Sequence, residues 1–237
     1  SIDDGARAVS AIISEGIVPA ALEMMDAPIT RAVEAYVGAG FPLDAEALLI
    51  IEVEGLEHGV ASQLFDCTRI CHSHGATSFR RAESETERAL IWKGRKTAFG
   101  AIARIQPNYY LHDTVVPRRK LAEVLSQVAA IASDEDLQVM NVFHAGDGNL
   151  HPLLLFDKRV PGIMDRVHRA GEGIVRASIA AGGVLSGEHG IGLEKRDFMP
   201  LMFDEASLSA QLRMKTAFDP HDIANPGKVL PSPAKCG

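Results

Sequence analysis

The sequence predicts an α+β fold, an antiparallel sheet with helices packed on it, and three observations point there. Short apolar or β-branched runs alternate with longer amphipathic stretches. The connections lack the long parallel strand–helix–strand rhythm that builds a doubly wound sheet. One Asp-Gly pair, Asp147-Gly148, stands between two apolar runs, the strongest short-range signal for a hairpin. Together these fit a ferredoxin-like layout and its duplications, with the helices on one face of the sheet.

Taken in order, the first helix runs through Ala6, Ala11, Ile12 and Ile13 and ends at Gly16, with no strand before it. A second helix, around Ile29 to Tyr36, stops at Gly38-Ala39-Gly40. Residues 48–53 are short and rich in Leu and Ile and read as a strand, and 55–74 as a helix. Residues 77–81 suggest another strand. Ser84-Glu85-Thr86-Glu87 is a capping-box start for a helix extending to Ile105. Residues 108–116 are strand-like, 118–133 form an amphipathic helix, 137–156 hold two strands around a turn, and 164–181 are helical.

A chain of 237 residues, 46% hydrophobic and 23% charged, can bury a sizeable core, and we read 1–237 as a single domain with 216–237 as its tail. The net charge of -7 argues against a surface built to grip nucleic acid, so an acidic substrate needs a local basic pocket. No apolar run approaches the roughly 20 residues that cross a bilayer, and the first residues lack the pattern of a signal peptide. The expected location is cytoplasmic. Of the three cysteines, Cys67 and Cys71 sit at helical spacing, as in the buried stripe of a reduced helix. A metal cluster of these two with His72 and His74 is the rival reading, but no second ligand pair follows at finger-like spacing; Cys236 stands apart.

The chemistry concentrates in two segments. If Asp147-Gly148 is a two-residue turn, His144 and His151 stand opposite one another with Cβ atoms about 4.5 to 5.5 Å apart. Two neutral imidazoles at that separation can converge on a divalent ion, which then wants a carboxylate and an open position. A pair of structural histidines in a turn is the plain alternative. The second segment, Gly182 to Gly192, frames Glu188 and His189 with glycines. Neighbouring side chains of an extended stretch point to opposite sides, so Glu188 is a candidate ligand and His189 a candidate base; a helix cap followed by a solvent loop is the alternative. Arg95, in Trp92-Lys93-Gly94-Arg95-Lys96, is the preferred carboxylate-binding cation, because a guanidinium grips a carboxylate through two bonds. A solvated basic helix face would look the same. Neither glycine segment fits the dinucleotide fingerprint.

Leu22 to Asp26, Trp92 to Lys96, Asn141 to Pro152, Ser186 to Lys195, Phe218-Asp219-Pro220 and Asn225-Pro226-Gly227-Lys228 resemble, in order, the C-terminal domain of FAD-linked oxidases, the family of the glycolate oxidase flavin subunit and of D-lactate and D-2-hydroxyglutarate dehydrogenases. The resemblance implies a cap domain in which His144, His151 and Glu188 hold a divalent metal, zinc or manganese. It makes His189 the proton-abstracting residue and Arg95 the substrate-carboxylate arginine, and it assigns Asn225 to a cofactor-binding tail that returns to the flavin half. It further implies oxidation of a small D-2-hydroxy acid of the glycolate or D-lactate type by FAD bound mainly on an N-terminal domain. That domain and other oxidase subunits are the implied partners, and a homo-oligomer is compatible with the sequence. The flavin domain and the first cap strand are absent from this chain, which leaves an unpaired sheet edge and a fragment expected to be inactive alone. Leu111 stands near where relatives acting on dicarboxylic acids place a lysine, which tilts the substrate towards a monocarboxylate. Two other classes use the same residues differently: a metal-dependent hydrolase, recognised by colourless, zinc-loaded protein, and a non-catalytic assembly module, recognised by metal-free protein that binds a partner.

Overall fold

The computed structural model describes residues 1–231, so Cys236 lies outside the described residues. In chain order the elements are α1 (Ile2–Ser14), β1 (Ala21–Asp26), α2 (Ala27–Val37), β2 (Ala47–Glu52), α3 (Glu57–Ser73), α4 (Glu85–Lys96), α5 (Ala98–Ile102), β3 (Asn108–Leu111), β4 (Thr114–Val115), α6 (Leu121–Asp134), β5 (Gln138–Phe143), β6 (Asn149–Leu150), β7 (Pro152–Phe156), α7 (Ile163–Ala180) and α8 (Glu205–Phe218). Five strands form one antiparallel sheet in the order β2-β1-β5-β7-β3, and β4 pairs with β6 in a separate two-stranded ladder. The α+β expectation holds. None of the described helices is long and apolar enough to cross a membrane.

The sheet is covered on both faces, which corrects the expectation of helices on one. Leu22 and Met24 of β1, Leu49 and Ile51 of β2 and Leu154 and Phe156 of β7 pack with α1, α3, α6 and α7. The alternate residues Met25, Ile50, Met140, Val142, Leu153 and Leu155 pack with α2 and α5. Strands buried on both faces lose the apolar–polar alternation that marks a half-exposed strand. That is why β1 went unread: Leu-Glu-Met-Met-Asp is rich in residues with weak strand preference, yet from Leu22 on every side chain is buried at the centre of the sheet.

Asp26 stitches β1 to its neighbours. One carboxylate oxygen accepts from the Ile29 amide at 3.0 Å and caps α2, and the other accepts from the Asn141 amide at 2.7 Å and its side-chain nitrogen at 2.9 Å. Three further expectations need correction. Residues 77–81 lie in no strand and join no ladder. The helix expected over 84–105 breaks at Thr97, whose hydroxyl donates to the Lys93 carbonyl at 2.7 Å, giving α4 and α5. Residues 108–116 divide between β3 and β4, strands of two different ladders. Cys67 and Cys71 are buried, free thiols on α3, as the reduced-helix reading expects, and burial raises both above the ordinary cysteine range.

Candidate functional site

The site forms where β5 ends. Phe143 is the last residue of the strand, and the chain then makes a short 3-10 turn over Ala145–Asp147 before Gly148, at φ 71°, sends it back. Only glycine suits that position, since φ is left-handed and a Cβ would run into the Val116 carbonyl oxygen. The two-residue Asp-Gly hairpin is therefore not formed: His144 lies opposite Asn149, not His151. The longer turn moves the register by two residues. His151 sits instead at the junction where the chain leaves the β4–β6 ladder for β7. The two imidazoles still meet, with ring centroids 5.3 Å apart at 83°.

From below, β1 contributes Glu23, buried on the face shared with α4. Its Oε1 accepts from His144 Nδ1 at 2.7 Å, while its Oε2 accepts from Arg95 Nε at 2.9 Å and lies 2.8 Å from a terminal guanidinium nitrogen in an ion pair. Burial works to raise the Glu23 carboxyl, but the His144 bond and the Arg95 charge outweigh it and hold it below the usual carboxylate range. The same bond raises His144. An ionised carboxylate only accepts, so it holds the proton on Nδ1 and leaves Nε2 of a neutral His144 as the free donor atom. Burial, with His144 close by, pushes His151 down to about 4, so this ring is neutral at pH 7.

Glu188 and His189 arrive on a loop bent around a buried carboxylate. Asp113, just before β4, accepts from the Ser186 hydroxyl at 2.6 Å and from the amides of Gly187 at 3.0 Å, Glu188 at 3.2 Å and His189 at 2.8 Å. The buried Lys195 ammonium also donates to its carbonyl and lies 3.4 Å from its carboxylate. Burial opposes ionisation here, but the Ser186 and amide bonds and the Lys195 charge win, and the carboxyl is held far below its ordinary value. Consecutive amides converging on one anion force the backbone into a nest. Glu188 and His189 therefore do not point to opposite sides, as an extended stretch would have them: His189 Nε2 lies 3.5 Å from Glu188 Oε1, and its ring stacks on His151 at 5.1 Å and 25°.

Glu188 Oε1 reaches 3.1 Å from His151 Nε2 and 3.7 Å from His144 Nε2, and the candidate ligand atoms of the three residues all lie within 4.8 Å of one another. Bonds of roughly 2.0 to 2.2 Å to a tetrahedral ion separate adjacent donors by about 3.3 Å, so the set suits one divalent cation with small adjustments. His151 Nε2 carries the second sign. It is buried and lacks a hydrogen bond, because its 3.1 Å approach to Glu188 is not aligned as one. A buried ring nitrogen without a hydrogen-bond partner calls for an explanation, and a ligand role is one.

Three of the predicted residues thus come together with His189 beside them. Arg95 is joined to the cluster through Glu23. Asn225 is not part of it: it is exposed at φ 52°, and its tail meets this region through Val229, whose amide donates to Gly192 at 2.8 Å, Gly227, whose carbonyl accepts from Arg196 at 2.8 Å, and Leu230, which packs in the cluster with Leu185. Glu23 and Asp113 were missed. The signal at Glu23 was an acidic residue inside an otherwise apolar run, which propensity discounts as a strand, whereas Asp113 stands between His112 and Thr114 in a run read as strand-like and nothing local marks its role.

The chain is 45% identical over 239 residues to "Glycolate oxidase subunit GlcD" of Escherichia coli (strain K12), covering 100% of this chain and 47% of the relative. It is 36% identical to the subunit of that name from Bacillus subtilis (strain 168), covering 99% and 50%. It is 28% identical to "D-lactate dehydrogenase [cytochrome], mitochondrial" of Arabidopsis thaliana, covering 98% and 41%. The chain spans about half the length of the curated relatives it matches. Among solved structures, p-cresol methylhydroxylase with substrate bound superposes with a TM-score of 0.71 at 10% identity, covering 95% of this chain and 51% of that one. The 4-ethylphenol oxidase of Gulosibacter chungangensis in complex with isoeugenol gives 0.65 at 15%, covering 97% and 52%. At such identities these two speak for the fold alone. Residues 1–229 match the family described as "FAD linked oxidases, C-terminal domain", and the chain belongs to it.

Proposed function

We propose that residues 1–237 are the substrate- and metal-binding domain of an FAD-dependent oxidoreductase that converts a small D-2-hydroxy acid, of the glycolate or D-lactate type, to the 2-oxo acid. The convergence of His144, His151 and Glu188, with His189 stacked against it, carries this reading. The relatives' printed names supply the substrate class. In this reading the three residues hold a zinc or manganese ion, which when bound lowers the pKa of the substrate hydroxyl. FAD, held mainly by an N-terminal domain, supplies the hydride acceptor, with residues 216–237 and Asn225 returning towards it. Other oxidase subunits are proposed as partners, and the location as cytoplasmic, although one relative's name is mitochondrial.

The chain's own groups do the rest. Arg95 engages the substrate carboxylate with its second terminal nitrogen, while Glu23 fixes the guanidinium through the other two. His189, half exposed beside the ligand set, takes the hydroxyl proton as hydride leaves the adjacent carbon. Asp113 keeps Glu188 and His189 in place as that proton moves. The sheet reads as two ferredoxin-like units in which α–β–β–α recurs as α1-β1-β2-α3 and α6-β5-β7-α7.

The test is His189→Asn in the flavin-loaded, longer polypeptide. Bound metal should be unchanged and turnover lower by about 100-fold or more, the scale of a lost general base. Turnover near the starting value would remove His189 from that role.

A further inference from the structure

The three candidate ligands arrive on two pieces of chain, and one side chain stands between the pieces. His144 and His151 flank the turn and β6, whereas Glu188 comes on the loop of residues 186–189. Asn149 of β6 touches both. Its backbone amide donates to the His144 carbonyl at 3.2 Å, and His151 follows two residues on. Leu150 between them turns into the core, which leaves Asn149 and His151 on the side that faces the loop.

The contact with the loop is made at Gly187, the residue before Glu188. A Cβ on Gly187 would stand 2.6 Å from Asn149 Oδ1 and 2.7 Å from its Cγ and Nδ2, so the side-chain amide fills the place where another side chain would begin. Backbone conformation does not ask for glycine here, because the φ of Gly187 lies outside the left-handed region. The space taken by Asn149 does. The Gly187 amide meanwhile donates to Asp113 at 3.0 Å. Asp113 thus holds the loop by its backbone while Asn149 blocks its α-carbon, and the two together fix how far the loop settles on β6. Glu188 Oε1 is the atom that this distance carries, at 3.1 Å from His151 Nε2 and 3.7 Å from His144 Nε2.

Asn149 is costly in that position. It is 6% exposed, and its Oδ1 is buried without a hydrogen-bond partner. An unpaired buried acceptor destabilises a fold and calls for an explanation. A planar group that fits between strand and loop supplies one, since the branched tip of a leucine is thicker and would lift the loop.

We propose that Asn149 is a positioning residue for the metal centre: acting through Gly187, its side-chain amide sets the height of Glu188 over the two imidazoles, and with it the coordination geometry of the ion. The proposal rests on the metal reading of His144, His151 and Glu188.

Cobalt(II) titration of the 237-residue chain tests it, because the visible bands of a bound cobalt ion report the number and arrangement of its ligands. Asn149→Ala lets the loop settle, and Gly187→Ala pushes it off. Each should change the position and intensity of the bands and lower cobalt affinity by about 10-fold or more, the scale for losing a group that orients a ligand. The two substitutions together place a methyl in the space that the amide vacated, so bands and affinity should return towards those of the parent. If Gly187→Ala alone does not fold, a folded, cobalt-binding double variant carries the same result. Parental bands in Asn149→Ala overturn the proposal, even where urea unfolding shows lower stability, since Asn149 is then a packing residue alone. Losses that simply add in the double variant overturn it too, because Gly187 then acts independently of Asn149. A parent chain that binds no cobalt sinks the metal reading itself, and the proposal with it.

Discussion

Glu23 faces an imidazole with one oxygen and a guanidinium with the other. A glutamine there keeps one accepting oxygen and turns an amide towards either His144 or Arg95, leaving a buried charge unpaired. Glu23→Gln should therefore lose about 3 kcal/mol of stability in urea unfolding, the scale of a broken buried ion pair. Zinc titration should show affinity lower by about 10- to 100-fold, because the His144 ring is no longer oriented. Unchanged zinc affinity would mean that His144 is fixed by something other than this carboxylate.

The loop from α7 to His189 is an element pinned at both ends. Gly183 donates to Ser178 at 2.9 Å, Val184 bridges to Val115, and five residues later Asp113 gathers the amides of the ligand loop. A Cβ at Gly183 would run into the Val115 carbonyl oxygen and stand 2.6 Å from that of Ser178, backbone atoms that cannot turn aside. Gly183→Ala should cost about 1 to 3 kcal/mol by overpacking and weaken metal binding through displacement of Glu188. Gly100→Ala on α5, where a Cβ meets nothing within 4 Å, should be neutral or stabilising by up to about 1 kcal/mol. Thermal unfolding of the pair checks this, and equal melting temperatures would contradict it.

For the molecule as a whole, two buried groups pull the pH dependence of stability in opposite directions. Burial pushes His112 down to about 3, and its Nε2 has no hydrogen-bond partner. The unfolded chain takes up this proton below its ordinary value of 6.5, so the stability His112 contributes is complete above 6.5 and is lost as pH falls towards 3. Burial raises Asp26 to about 6 despite its three hydrogen bonds. Its contribution is complete below 3.8 and is lost as pH rises through about 6. His112→Gln should remove one proton of linkage, about 1.4 kcal/mol per pH unit between pH 6 and pH 4. Urea unfolding at both pH values measures the slope, and a slope identical to that of the parent would show that His112 is already charged in the folded state.

The sequence by itself determined the fold class, most helices and which residues are candidates for chemistry. Amphipathic periodicity, glycine stops and a capping box are local signals, and His144, His151, Glu188 and His189 are unusual residue types among glycines and apolar runs. Tertiary structure alone decided how they meet. The histidine register followed a four-residue turn that Gly148 permits rather than the tight turn suggested by Asp-Gly, and the direction of His189 followed from Asp113, 76 residues away. β1 and Glu23 were invisible for the same reason: a strand buried on both faces needs no alternation, and its charge is tolerated because Arg95, 72 residues on, arrives to pair with it. Local chemistry sets what each segment can become, whereas desolvation makes partners obligatory, and those partners lie far along the chain.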